Sequence, residues 1–168
     1  MVAVDGAEAG GELAPAVKRK PVNGRAKGAK YELDLAAYFV DLGYENARRM
    51  IRTGTVKHAD EGDLDGLPFT VQAKTKKGDV GDVELARWLH ATGMQRLVKG
   101  HGVGLLIVKR NGHGAIGSSW VWVRLPTLVF LTGASYRTIG DALSDAELHV
   151  RVRLDDLAPM LVRRYPPS

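Results

Sequence analysis

The sequence predicts an α/β fold: a mixed sheet with an early hairpin and with helices on both of its faces. Three observations predict it. Apolar residues follow a helical rhythm near residues 30–42 and 80–98. They alternate with polar ones over 69–74 and 149–154, which is the period of a strand. Between these, residues 104–109 form an unbroken apolar run, as a central strand buried on both faces requires. The main elements then run helix, strand, strand, strand, helix, strand, strand, helix, an order that gives a layered α/β sandwich.

Each element has a local cause. Residues 1–26 are rich in Gly, Ala and Pro, carry a basic cluster at Lys18, Arg19 and Lys20, and read as a disordered basic arm. In the first helix, Leu33, Ala36, Ala37 and Val40 follow the i, i+3, i+4, i+7 spacing of one buried face, and Gly43 supplies the stop. A first strand is placed over 46–52, with a polar loop over 53–62. A short extended piece covers 63–67, and Gly66 with Pro68 marks a tight turn. Over 69–74, Phe69, Val71 and Ala73 face one way and Thr70, Gln72 and Lys74 the other. In the second helix, Val83, Ala86, Leu89 and Met94 are expected on the buried side. Asn111-Gly112 is a turn signal. Trp120 and Trp122 share one face of a strand over 120–124 and are expected to pack in the core rather than stack on bases. Pro126 suits the first position of a short helix. A strand over 149–154 and a helix over 155–164 close the chain, so that residues 136–168 form an extension packed on the same domain.

Composition narrows the function. The chain has 168 residues, enough for one domain with a real core. It has no cysteine, which excludes disulfides, thiolate zinc sites and cysteine nucleophiles. No apolar run nears the length of roughly 20 residues that spans a bilayer. No basic start followed by an apolar block is visible, so the expected compartment is the cytoplasm. The net charge is +5, and its distribution is uneven. Residues 31–70 hold eight acids against four bases, whereas residues 71–110 hold eight bases against three acids. An acidic patch beside basic segments suits a protein that binds a cation and a polyanion together.

The candidate site follows from strand geometry. Gln72 and Lys74 are two apart and project from one face. Asp63 lies across a short turn, and paired strands are about 4.8 Å apart, so Asp63 sits beside Gln72. Asp65 competes with it for this role. The first turn of the early helix adds Glu32. Oxygen donors of this kind suit a hard divalent cation, and a lysine beside them orients water or neutralises charge developing on a phosphate.

The segment from Asp63 to Lys74, Asp-Leu-Asp-Gly-Leu-Pro-Phe-Thr-Val-Gln-Ala-Lys, resembles the core motif of the PD-(D/E)xK nuclease superfamily. The preceding Lys27-Gly28-Ala29-Lys30-Tyr31-Glu32-Leu33 resembles the opening helix of archaeal-type Holliday junction resolvases. The match covers residues 27 to 77 and thins to a shared pattern by residue 125. It implies a restriction-endonuclease-like α/β/α sandwich, with residues 27–135 as the nuclease domain. It also implies Mg2+, with Mn2+ as a substitute, held by Glu32, Asp63, Gln72 and the carbonyl of Ala73, with Lys74 as the catalytic lysine. Two positions depart from the pattern. Gly62 stands where a proline is usual, and Gln72 where an acid is usual; glutamine at the latter place resembles the methyl-directed restriction nucleases. An amide ligand brings no charge, which weakens metal binding.

DNA contacts are expected from Lys27, Lys30, Arg48, Arg49, Arg52, Lys57, Lys76 and Lys77. The resemblance implies a homodimer acting on four-way junctions or other branched DNA, with no membrane involved. A restriction-like or general DNA nuclease, or an inactive DNA-binding module, are the alternatives.

Overall fold

A computed structural model describes residues 24–51, 61–134 and 148–167. The chain folds as a mixed α/β structure. Helix α1 (Gly24–Asp41) leads through the two-residue strands β1 (Arg48–Arg49) and β2 (Leu64–Asp65) to β3 (Thr70–Lys74). Then follow α2 (Asp82–Val98), β4 (Gly104–Val108), β5 (Trp120–Arg124), α3 (Leu125–Thr132), β6 (His149–Arg153) and α4 (Leu154–Arg164). The main sheet has the order β3-β4-β5-β6, with β3 parallel to β4 and the other pairs antiparallel. The parallel pair is joined by α2, since a parallel connection needs a crossover. Strands β1 and β2 form a separate antiparallel ladder. Among the described residues no helix is long and apolar enough to cross a membrane.

One face of the sheet carries the core. Val71, Ala73, Leu105, Ile107, Val121 and Val123 meet Tyr31, Leu35 and Phe39 of α1 and Leu154, Leu157 and Leu161 of α4. Phe69 is fully buried, its ring 5.5 Å from that of Phe39, 5.6 Å from Tyr44 and 6.0 Å from Tyr165. Helix α2 covers the opposite face over β3 and β4. Residues 148–167 are thus woven into the sheet and its core, through β6 and α4.

Several sequence expectations are corrected. Helix α1 starts at Gly24, inside the segment read as a disordered arm; residues 1–23 lie outside the described residues. Its buried stripe is Tyr31, Leu35, Ala36 and Phe39, while Leu33 is 55% exposed. Two apolar stripes compete on this helix, and the one with two large rings buries more area. Helix α2 turns its expected core side outward: Val83 is 87% exposed and Met94 51%, while Thr92 and Gln95 are buried. The strand placed over 46–52 is only Arg48–Arg49. Trp120 and Trp122 are half-buried rather than in the core, because Val121 and Val123 take the inward positions of β5.

Candidate functional site

Strand β3 and the residue entering β2 build the site. The Asp63 N–H donates to the Val71 carbonyl at 2.9 Å, and Asp63 Oδ2 accepts from the Ala73 N–H at 2.8 Å. Asp63 therefore spans the position of Gln72. Lys74 Nζ lies 3.9 Å from Asp63 Oδ2. Gln72 is 4% exposed. With its amide oriented from the surrounding network, its NH2 donates to the Trp88 carbonyl at 3.0 Å and to Thr92 Oγ1 at 2.9 Å. Its oxygen then accepts from Lys74 Nζ at 3.3 Å and from Gln95 Nε2 at 3.1 Å. Asp63, Gln72 and Lys74 meet at the end of β3.

The seating of β2 against β3 and against the chain entering β1 depends on two glycines. Gly62 has φ 97°, and a Cβ there would lie 2.8 Å from the Val71 carbonyl oxygen. Proline, with φ fixed near −65°, cannot occupy that backbone, so the glycine at 62 has a conformational reason. Gly66, at φ 75°, brings its Cα so near the Asn46 carbonyl that a Cβ would lie 1.9 Å from the oxygen.

Thr92 and Gln95 come from α2 and were not among the residues singled out from sequence. Their only signal there is that they lie three apart, on one side of a helix. Gln95 is 1% exposed, and its Oε1 has no hydrogen-bond partner. A buried acceptor left open beside Gln72 is costly unless a water or cation meets it.

The other acids are occupied by arginines. Glu32 forms an ion pair with Arg49, whose Cα pairs with Leu64 next to Asp63. Asp65 pairs with Arg48 and lies 3.6 Å from Lys99 Nζ. Burial raises the Asp65 carboxyl pKa, but the Gly66 N–H, Lys99 and Arg48 outweigh it and hold the group below its ordinary value of 3.8. Its folded pKa being the lower one, Asp65 stabilises the fold above the unfolded pKa and loses that contribution as pH falls through the folded value. Asp65→Asn is expected to flatten the acid limb of a urea-midpoint series run from pH 5 downward. A series that superimposes on wild type would remove this role. The structure thus separates the two aspartates: Asp63 lies beside Lys74, and Asp65 fastens β2 to β1 and to the end of α2.

The basic residues divide in the same way. Lys27, Lys30, Lys76 and Lys77 line one cleft of about 600 Å³ together with Tyr31 and Lys109. Lys30 pairs with Asp34 at 2.8 Å, and Lys76 pairs with Glu84. Arg48 and Arg49 are instead held by Asp65 and Glu32. Arg52 and Lys57 lie outside the described residues. Lys109 was not singled out from sequence. The parallel pairing brings it in, since its N–H donates to the Lys74 carbonyl at 2.9 Å.

Among the described residues no three His, Cys, Asp or Glu side chains are grouped as a metal site. The oxygen donors beside Asp63 are the Gln72 amide oxygen and the carbonyls of β3, and the Gln95 amide lies against that of Gln72. An all-oxygen set with one formal negative charge fits a hard divalent cation in type. The open Gln95 oxygen supports that fit.

Compared with protein-family models, with characterised proteins and with solved structures, the chain matches none.

Proposed function

We propose that the chain is a metal-dependent endonuclease that hydrolyses DNA phosphodiester bonds and resolves four-way or other branched DNA in the cytoplasm, on a restriction-endonuclease-like α/β/α sandwich. The observation that carries this reading is the meeting of Asp63, Gln72 and Lys74 at the end of β3, beside a cleft lined by five lysines.

Asp63, the Gln72 oxygen and the Ala73 carbonyl would hold Mg2+ or Mn2+, with Glu32 joining when Arg49 releases it. A cation held there would supply Lewis-acid chemistry for the phosphate and would lower the pKa of a bound water. The remaining work falls to the chain. The Ala73 N–H fixes one Asp63 oxygen. Thr92 and the Trp88 carbonyl hold the Gln72 NH2, so that its oxygen faces Lys74. Lys74 donates to the phosphate and offsets the charge that develops on it. Lysines 27, 77 and 109 guide the backbone past the site by charge.

The test is incubation of the protein with labelled four-way junction and linear duplex, in Mg2+ and in EDTA. Mg2+-dependent cutting favouring the junction is expected. Cutting of both alike favours a general or restriction-like nuclease. The protein groups already filling the hydrogen bonds of the uncharged Gln72 favour one further reading, a DNA-binding module, and binding with no cutting in any divalent metal would establish it.

The lysine cleft carries a prediction of its own. Lys27→Ala with Lys77→Ala is expected to weaken binding of every DNA sequence alike. It should lower the slope of log affinity against log salt by about 2, since each lost phosphate contact removes about 0.9. An unchanged slope would place the DNA elsewhere.

A homodimer would give a junction two sites for its two symmetric strands. The exposed Val83, Met94, Leu97 and Val98 of α2 offer an apolar face for it. Light scattering should then show a dimer that Met94→Glu with Leu97→Glu converts to monomer. A wild-type monomer, both free and on junction DNA, would sink this.

A further inference from the structure

Strands β5 and β6 turn an unusual face away from the core. In β5, Val121 and Val123 point inward, so Trp120, Trp122 and Arg124 take the other side. In β6, Val150 and Val152 pack against the core, and His149, Arg151 and Arg153 take the same outer side. The antiparallel register sets Trp120 opposite Arg153, Trp122 opposite Arg151 and Arg124 opposite His149. Residues directly opposite in such a pair share a face. One face therefore gathers two indoles, three guanidiniums and an imidazole. Helix α2 covers this side of the sheet over β3 and β4, where Thr92 and Arg96 lie against Gly104. Beyond it, both indoles stay half-buried.

The guanidiniums lie over the rings. Arg151 is 4.6 Å from the ring centre of Trp120 and 5.5 Å from that of Trp122, and Arg110 is 4.8 Å from Trp120. A cleft of about 450 Å³ opens here, and it shares Lys109 and Asn111 with the lysine cleft beside Asp63. Indole faces and guanidinium planes are the surfaces on which unpaired bases stack. A base inside a duplex is already stacked on its neighbours and cannot use them. The surplus of positive charge suits the phosphates between successive bases.

We propose that Trp120 and Trp122, with Arg110 and Arg151, stack the unpaired bases of a single-stranded DNA segment whose backbone continues into the lysine cleft. The inference rests on the DNA reading above and narrows its substrate to DNA that presents unpaired bases next to the site.

The experiment compares binding of a labelled oligothymidine with that of an equally long abasic strand at one salt concentration, with tryptophan fluorescence followed in parallel. Base stacking is sequence-tolerant and is lost without bases, so wild type should bind the thymidine strand about tenfold or more tightly. Tryptophan fluorescence should be quenched by that strand only. Trp120→Ala and Trp122→Ala should erase the difference, whereas Trp120→Phe keeps a stacking ring and most of the preference. Arg151→Ala changes an exposed side chain and should reduce the preference without unfolding, which covers the case in which an alanine at either tryptophan fails to fold. Equal binding of the two strands by wild type overturns the stacking surface and leaves the lysine cleft standing. Binding of neither strand, with a four-way junction still bound, overturns the single-strand inference alone; binding of neither strand nor the junction overturns the DNA reading itself.

Discussion

Asp63→Asn is expected to abolish cleavage while leaving DNA binding within about twofold of wild type. The asparagine oxygen can still accept the Ala73 N–H that fixes Asp63 Oδ2 at 2.8 Å, so the β2–β3 approach survives. What disappears is the carboxylate charge 3.9 Å from Lys74 Nζ. Loss of a group acting at the reacting phosphate costs on the order of 10²–10⁴ in rate. Affinity is spread over many phosphate contacts and should barely change. Lys74→Ala should show the same split between cutting and binding. Gln72→Glu moves the other way. It adds a charge beside Lys74 at nearly constant size, and the Mg2+ needed for half-maximal cutting should fall. The readouts are single-turnover cutting rates across a Mg2+ series, with binding followed by anisotropy in EDTA. Normal cutting by Asp63→Asn would exclude Asp63 from the reaction and make Asp65→Asn the next variant to assay.

The second large effect is on stability. Phe69→Ala is expected to destabilise the fold by about 3–5 kcal/mol, as ring deletions in packed cores do. Phe69 is fully buried and touches the rings of Phe39, Tyr44 and Tyr165, so its loss opens a cavity where α1, the turn after it and the residue after α4 converge. Folded domains are stable by only about 5–15 kcal/mol, so this is a large share. The melting temperature should drop by on the order of 10 °C in a circular-dichroism melt. Val83→Ala, at an 87% exposed position, should stay within about 0.5 kcal/mol of wild type. If Phe69→Ala melts with wild type, the core does not close on this ring.

The two predictions differ in how far sequence alone reaches. Phe69, Val71 and Ala73 alternate with Thr70, Gln72 and Lys74, and the structure keeps that division. The same rule placed β5 and β6 and the alternation within them. It did not say which alternating set would be covered, so the two tryptophans were assigned to the core that Val121 and Val123 occupy. A strand period gives two faces and leaves open which of them a helix will cover.

Local patterns along the chain were enough for the strands expected over 69–74, 104–109, 120–124 and 149–154, which form over Thr70–Lys74, Gly104–Val108, Trp120–Arg124 and His149–Arg153, for the glycine turn at Gly66, and for Gln72 and Lys74 on one side of a strand. These follow from periods and backbone limits that act within a few residues. Tertiary structure alone decided which stripe of α1 and of α2 is buried. It also decided that Thr92 and Gln95 stand beside Gln72 and that Lys109 joins the lysine cleft. The different surroundings of Asp63 and Asp65 belong with these. Two residues apart on one extended segment, the two are alike in sequence, and only their partners separate them. Lys74 and the Ala73 N–H stand beside Asp63, while Arg48 and Lys99 hold Asp65. Those partners are 10 to 34 positions away along the chain, and no local pattern records which of them the fold will bring within reach.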